Sequence, residues 1–219
     1  MRVATQVAHD LLHIGAVTLE PNKPFVWASG IEAPIYTDNR RIIAFPVERT
    51  FIANSLADLI KRRYPEATVV GGVATAGIPH AALVAERLNL PMIYVRGKAK
   101  DHGTNSQIEG KLEATDKVVL IDDLISTGGS VLDAAKVVQA AGAEVVGVAA
   151  IFSYELPDSL TNFNNANIRL HTLTTYTDLI ETANAEGDMS DAELALVRTW
   201  KDDPWGYGKN LTQLKVASN

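Results

Sequence analysis

Val118 to Ser130, VVLIDDLISTGGS, joins two adjacent carboxylates to five consecutive small or hydroxyl residues just ahead of a helical pattern. Each part has a chemical use. Ser126, Thr127, Gly128, Gly129 and Ser130 are small enough for backbone N–H groups to approach a phosphate closely, and the helix N-terminus beyond them adds partial positive charge. The lysine of a GxxxxGK[ST] loop is missing, so this is not a Walker site. Asp122 and Asp123 would repel a phosphate beside them. They make sense as ligands for sugar hydroxyls, directly or through Mg²⁺, while the loop takes a 5′-phosphate. An ordinary turn capped by Thr127 is the plainer alternative, and paired Asp followed by such a run disfavours it. These residues specify a phosphorylated sugar and leave its fate open.

A second segment, Tyr94 to Gly110, reads YVRGKAKDHGTNSQIEG. Arg96, Lys98, Lys100 and His102 are interleaved with small or polar residues, only Asp101 opposes them before Glu109, and Gly97 and Gly103 would allow movement. Loops this long are usually functional or disordered, and a solvated charge run is the plain alternative. The cluster matters because the whole chain is acidic, with 20 Lys and Arg against 26 Asp and Glu and a formal charge of −6. That balance argues against a general attraction to nucleic acid, which normally shows as a basic excess. An anionic ligand must therefore be held locally.

The elements that position these segments follow from periodicity. Val3, Val7, Leu11 and Ile14 predict a helix over the first 14 residues, and 15–43 look irregular and strand-like, punctuated by Pro21, Pro24, Gly30 and Pro34. Pro46 opens a helix to about Arg63. Strands are expected at Thr68–Val73, Met92–Val95, Lys117–Ile121, Glu144–Ile151 and Ile168–Thr174. Helices are expected at Ile78–Leu88, Gly129–Ala141 and Thr175–Ala185. Ser190 with Glu193 predicts a capping box for a last helix to about Trp200, and Trp205 and Tyr207 of the tail are expected to dock on the body. Apolar strands alternating with helices imply a mostly parallel α/β sheet covered on both faces. Ligands of such sheets bind at the carboxyl ends of the strands, which selects Ala74–Gly77, Arg96–Gly110 and Asp122–Ser130.

With 219 residues and 47% apolar content, one domain with a sizeable core is expected. No apolar run approaches the roughly 18 residues of a membrane span, and no signal peptide is evident. Cysteine is absent, which excludes disulfides, thiolate zinc and a Cys nucleophile. A cytoplasmic location fits. His9 and His13, in HDLLH, share a helix face at i, i+4, but without a third ligand the pair reads as incidental. His80 and His171 fall in regular elements and read as structural.

VVLIDDLISTGGS resembles the signature of the type I phosphoribosyltransferases, which use phosphoribosyl pyrophosphate (PRPP). YVRGKAKDHGTNSQIEG resembles the catalytic loop of orotate phosphoribosyltransferases, and PFVWASGIEAPIYTDNRR, Pro24 to Arg41, resembles the amino-terminal segment of their Gram-positive-type members. GGVATAGIPHAA, Gly71 to Ala82, matches the pyrophosphate loop, with Thr75-Ala76 where relatives often have Tyr-Lys. The likeness covers roughly residues 1 to 175. It implies the type I phosphoribosyltransferase fold as a single domain, with a small hood formed mainly by about residues 1–45 plus part of the C-terminal region.

The activity so implied is Mg²⁺-dependent transfer of the phosphoribosyl group from PRPP to orotate, giving orotidine 5′-monophosphate and pyrophosphate in pyrimidine biosynthesis. Carried over by position, Lys100, His102, Asp122 and Asp123 are catalytic. Arg96, Lys100 and His102 contact PRPP, as do Asp122, Asp123, Leu124, Ile125, Ser126, Thr127, Gly128, Gly129 and Ser130; Ser126 also contacts orotate. Mg²⁺ is held mainly through PRPP and not by a dedicated protein site. The resemblance further implies a homodimer whose loop closes over the neighbouring subunit's site. Some relatives have Lys where Gly97 stands, with Lys98 the candidate replacement, and Lys23 is the nearest match to another phosphate-reaching lysine. A purine or uracil phosphoribosyltransferase would share the Asp122–Ser130 signature but lack RGKAKDHG. A non-catalytic PRPP-binding regulator would need a nucleic-acid surface.

Overall fold

The apolar runs do what their continuity predicts: they form strands buried on both faces. The computed structural model describes residues 2–27, 29–97, 107–208 and 211. In chain order they form α1 (Val3–His13), β1 (Val17–Leu19), β2 (Phe25–Val26), β3 (Glu32–Ala33), β4 (Ile35–Thr37), a 3-10 turn (Asn39–Ala44) and α2 (Pro46–Arg63). Then come β5 (Val69–Val73), α3 (Gly77–Leu88), β6 (Met92–Val95), β7 (Ile108–Glu109), β8 (Lys117–Ile125), α4 (Gly129–Ala140) and β9 (Glu144–Ser153). The chain continues with α5 (Pro157–Ala166), β10 (Leu170–Thr175), α6 (Tyr176–Glu186) and α7 (Asp191–Arg198). No described helix is long and apolar enough to cross a membrane.

Six strands make the main sheet in the order β10-β9-β8-β5-β6-β7, parallel except for β7 against β6. Alternation along β8 divides the core. Val119 and Ile121 face a cluster shared with α1, α2, α3, α6 and α7, while Val118 and Leu120 face one shared with α4 and α5. After β5 the chain steps outward to β6 and then returns to the other side of β5 to form β8. The crevice above β5 and β8 is therefore the topological switch point where such sheets bind ligands.

The structure corrects three expectations. β8 does not stop at Ile121, because β9 is also longer than its apolar run suggested. Asp122, Leu124 and Ile125 are registered with Ala150, Phe152 and Ser153, so the carboxylates belong to the ladder and not to a loop. Strand pairing is a backbone matter, and side-chain charge marked the boundary too early. Helix α5 falls in a stretch for which no helix was expected; Pro157 in its first turn was the available signal. The N-terminal region, expected to be irregular and strand-like, is so: it contains two small antiparallel pairs, β1 with β4 and β2 with β3. Finally, Tyr207 docks in the core but Trp205 remains 64% exposed.

The capping box at Ser190 is present, with Ser190 Oγ accepting from Glu193 N–H and Glu193 Oε2 accepting from Ser190 N–H. His171 meets the Tyr64 hydroxyl at 2.8 Å in a structural contact. His9 stacks on His13 with centroids 5.8 Å apart and pairs with Glu186 at 2.7 Å. Among the described residues no group of three or more His, Asp or Glu side chains is arranged to hold a metal.

His80 of α3 is fully buried, and neither ring nitrogen has a hydrogen-bond partner among the described residues. Burial holds its imidazole down at about 4, from an ordinary 6.5. A depressed His supplies stability that is present above the unfolded value and lost as pH falls through the folded one. Between pH 6.5 and about 4 this site should therefore cost up to about 3 kcal/mol. His80→Leu should lose less unfolding free energy than the parent between pH 7 and pH 4 in denaturant titrations. Equal losses in the two proteins would refute this account.

Candidate active site

The C-terminal end of β8 carries Asp122 and Asp123 into the crevice. Asp122 is 7% exposed, and its Oδ1 accepts the Asp123 N–H at 2.9 Å. Burial, then the neighbouring Asp123 carboxylate, pushes Asp122 well above the ordinary carboxylate range. Burial also raises Asp123, against an opposing pull from Arg40. Asn39 Nδ2 donates to the Asp123 carbonyl at 2.8 Å, tying the 3-10 turn to the strand. A buried acid beside a half-buried one, with no salt bridge to either among the described residues, suits a ligand that brings hydroxyl donors or a metal ion.

Beyond the strand, Ser126 to Ser130 turn into α4. Gly128 makes the turn in the left-handed region, at φ +81°, and a Cβ there would strike the Phe163 ring. α4 has no side-chain cap at its N-terminus. Asp122 and Leu124 to Val131 line a hollow of about 180 Å³ over this turn. It is roomy enough for a phosphate group and offers uncapped first-turn N–H groups. The neighbouring helix is equally close: a Cβ on Gly77, at the start of α3, would clash with the Ile121 carbonyl oxygen. Glycine there lets the Ala74–Ala76 corner stand beside the carboxylates.

A second hollow, of about 390 Å³, adjoins the first and shares Leu124 and Ser126 with it. Phe25, Val26, Trp27, Tyr36, Thr37 and Tyr154 line the rest of the second hollow. A polar, helix-terminated hollow is thus joined to an apolar, aromatic one, with the paired acids at the edge of the first. The arrangement suits a flat ring joined to a phosphorylated sugar.

A family model described as "Phosphoribosyl transferase domain" matches residues 49–162. The orotate phosphoribosyltransferase of Levilactobacillus brevis is 66% identical over 204 residues, which is 93% of this chain and 97% of that protein. This chain belongs to the orotate phosphoribosyltransferase family. The orotate phosphoribosyltransferase of Lactiplantibacillus plantarum is 57% identical over 94% of this chain and 97% of its own length. The crystal structure of the Aeropyrum pernix orotate phosphoribosyltransferase superposes with a TM-score of 0.73 at 28% identity, covering 84% of this chain and 99% of that one. The type I fold expected from the signature is the one observed.

Within this orotate phosphoribosyltransferase family member, the structure brings Asp122 and Leu124 to Ser130 together around one hollow, with Ser126 at the junction of two; Asp123 lines neither. Arg96 lies at the end of β6, where its N–H donates to the Gln107 carbonyl at 2.8 Å and Gln107 Nε2 returns a bond at 3.1 Å. Its guanidinium is 3.7 Å from Glu109. These contacts and the β6–β7 pairing close the neck of the basic loop. Lys98, Lys100 and His102 lie outside the described residues. Lys23 is described but does not line either hollow.

Sequence reasoning missed the aromatic wall. Trp27 and Tyr154 stand with ring centroids 4.8 Å apart, although 127 positions separate them in sequence (154 − 27). It also missed the support given by α5, where Asn162 Nδ2 donates to the Thr127 carbonyl at 3.0 Å and Phe163 packs under Gly128. The signal for Trp27 was its place inside the amino-terminal match. Nothing local marked Tyr154.

Proposed function

We propose that this protein is an orotate phosphoribosyltransferase, transferring the 5-phosphoribosyl group of PRPP to orotate with release of pyrophosphate, in pyrimidine biosynthesis. The observation that carries the reading is the shared wall: Leu124 and Ser126 line both the loop hollow and the aromatic hollow, so one ligand can put its phosphate in the first and its ring in the second. The names of the relatives at 66% and 57% identity supply the base.

In this mechanism an orotate ring nitrogen attacks C1 of the ribose as the C1–O bond to pyrophosphate breaks. The bond's electron pair leaves with pyrophosphate, and the nitrogen gives up its proton. Positive charge gathers on the sugar and negative charge on the leaving group. Asp122 and Asp123 bind the ribose hydroxyls and supply negative potential near the ring. The loop from Ser126 to Ser130 fixes the 5′-phosphate through backbone N–H groups. Arg96, Lys100 and His102 meet the leaving pyrophosphate once the loop closes and excludes water, and His102 donates a proton to it. Ser126 contacts orotate, and Trp27, Tyr36 and Tyr154 enclose its ring.

PRPP carries about five negative charges, so Mg²⁺ belongs to this reading as neutralising charge on the pyrophosphate and ribose oxygens. Two adjacent carboxylates fit it, because Mg²⁺ usually takes one or two protein carboxylates and completes its shell from substrate and water. The reading extends to a cytoplasmic homodimer in which each loop serves the neighbouring subunit's site.

The test is a spectrophotometric assay with orotate, PRPP and Mg²⁺. Orotate absorbance should fall only when all three are present. Turnover of hypoxanthine or uracil with none of orotate would overturn the choice of base.

A further inference from the structure

We propose that the segment from Glu193 to Tyr207 is a clasp that holds the β2–β3 hairpin over the aromatic hollow. Trp200 is its main positioning residue, so the C-terminal segment sets affinity for the base and not for the sugar donor. The proposal rests on the orotate reading above.

The hairpin needs holding. Its strands make only two register pairs, Phe25 with Ala33 and Val26 with Glu32, and so short a ribbon is not stable alone. Yet it supplies one whole wall of the hollow, Phe25, Val26 and Trp27. Three hydrogen bonds from the C-terminal segment bracket it. Asn22 Nδ2 donates to Glu193 Oε1 at 2.7 Å, the Tyr207 hydroxyl donates to the Pro21 carbonyl at 2.9 Å, and Trp200 Nε1 donates to the Glu32 carbonyl at 3.2 Å. The first two fix the entry to β2 and the third fixes β3.

Trp200 does more than anchor backbone. Its side chain is fully buried, and its ring meets Trp27 edge-on at 5.5 Å and Tyr154 at 5.7 Å. Those two rings touch each other and both line the hollow, so one side chain behind the pocket supports both. Tyr176, 5.0 Å away on α6, backs Trp200 from the other side. The donor side has separate supports. Its strand is laddered to β9, and its turn rests on Asn162 and Phe163 of α5. Loosening the clasp should therefore lower the population of the base-ready hairpin and leave the phosphate turn intact. Apparent affinity for the base falls in proportion to that population.

Two conservative variants test this. Trp200→Phe removes the indole N–H but keeps an aromatic ring, and Tyr207→Phe removes only the hydroxyl. Initial rates are measured with orotate varied at saturating PRPP, and with PRPP varied at saturating orotate. Each variant should raise KM for orotate about fivefold, the effect of one net hydrogen bond, and the double variant should raise it further. KM for PRPP should stay within about twofold and kcat should change little, a split that general destabilisation does not produce. An unshifted orotate KM in both single variants would overturn the clasp, and so would equal rises in the two KM values. Tyr207→Phe keeps the test decisive if Trp200→Phe folds poorly. Parent protein that does not turn over orotate would sink the function reading itself, whereas an active parent with unshifted variants sinks the clasp alone.

Discussion

Lys100→Ala should lower kcat by about two to three orders of magnitude, the usual cost of removing one charge-stabilising donor from a developing anion. Pyrophosphate leaves with substantial negative charge in a protein whose net charge is −6, so the loop cation has no general field to help it. The fold should be untouched. The sheet, both halves of the core and the neck of the loop at Arg96 and Gln107 are built without this residue. Thermal unfolding of the variant should therefore match the parent, and its KM for orotate should move little. Single-turnover rates give the clean measurement, because they separate chemistry from product release. An unchanged rate would refute the assignment of this loop to pyrophosphate departure.

Replacing Asp122 and Asp123 together by Asn should have an effect of similar size on turnover and the opposite sign on stability. Burial and mutual repulsion raise Asp122, and burial raises Asp123, so the folded protein resists ionising the pair. For acids with raised folded values, the stabilising contribution is complete below the unfolded value and is lost as pH rises through the folded one. At neutral pH the unfolded carboxylates ionise freely while the folded pair resists it, so the pair works against the fold, and neutral Asn removes that cost. The double variant should melt a few degrees higher, given that about 1 kcal/mol moves Tm by about 2–4 °C in a chain of this size. The gain should shrink toward pH 4. Turnover at saturating PRPP should fall about 100-fold or more, because the ribose hydroxyls lose charged acceptors and the developing cation loses its counter-field. Full activity would end the case for these carboxylates, and a lower Tm would contradict the electrostatic account of their burial.

The donor half of the site was legible from residue order because its chemistry is local. Paired acids, a Ser/Thr/Gly run and a helix start all fall within Val118–Ser130, and the fold gathers Asp122 and Leu124 to Val131 around one hollow much as they stand in the chain. The acceptor half was not legible in that way. Its walls come from Phe25–Trp27, Tyr36, Leu124 and Tyr154, and only tertiary packing joins them. Helices α2, α3, α4 and α6 matched their patterns because one face of each is apolar. Strand ends were harder to see. β8 and β9 outrun their apolar stretches because each supplies hydrogen bonds to the other beyond the point where the side chains turn polar. The charge of Asp122 signalled function correctly and the strand boundary wrongly.

The place of β8 in the middle of the sheet, laddered on both sides, gives the two halves of the site different thermodynamic depth. Local opening events spare such a strand, so the donor grip should vanish only when the whole sheet does. The two-pair hairpin opposite depends instead on the few contacts that the C-terminal segment gives it. Substitutions at the hairpin's exposed Val26 can thus retune which ring is accepted at little risk to the fold, while any change at Asp122 is felt by the central strand. One chain therefore holds a conserved-by-physics handle for the sugar and an adjustable one for its partner.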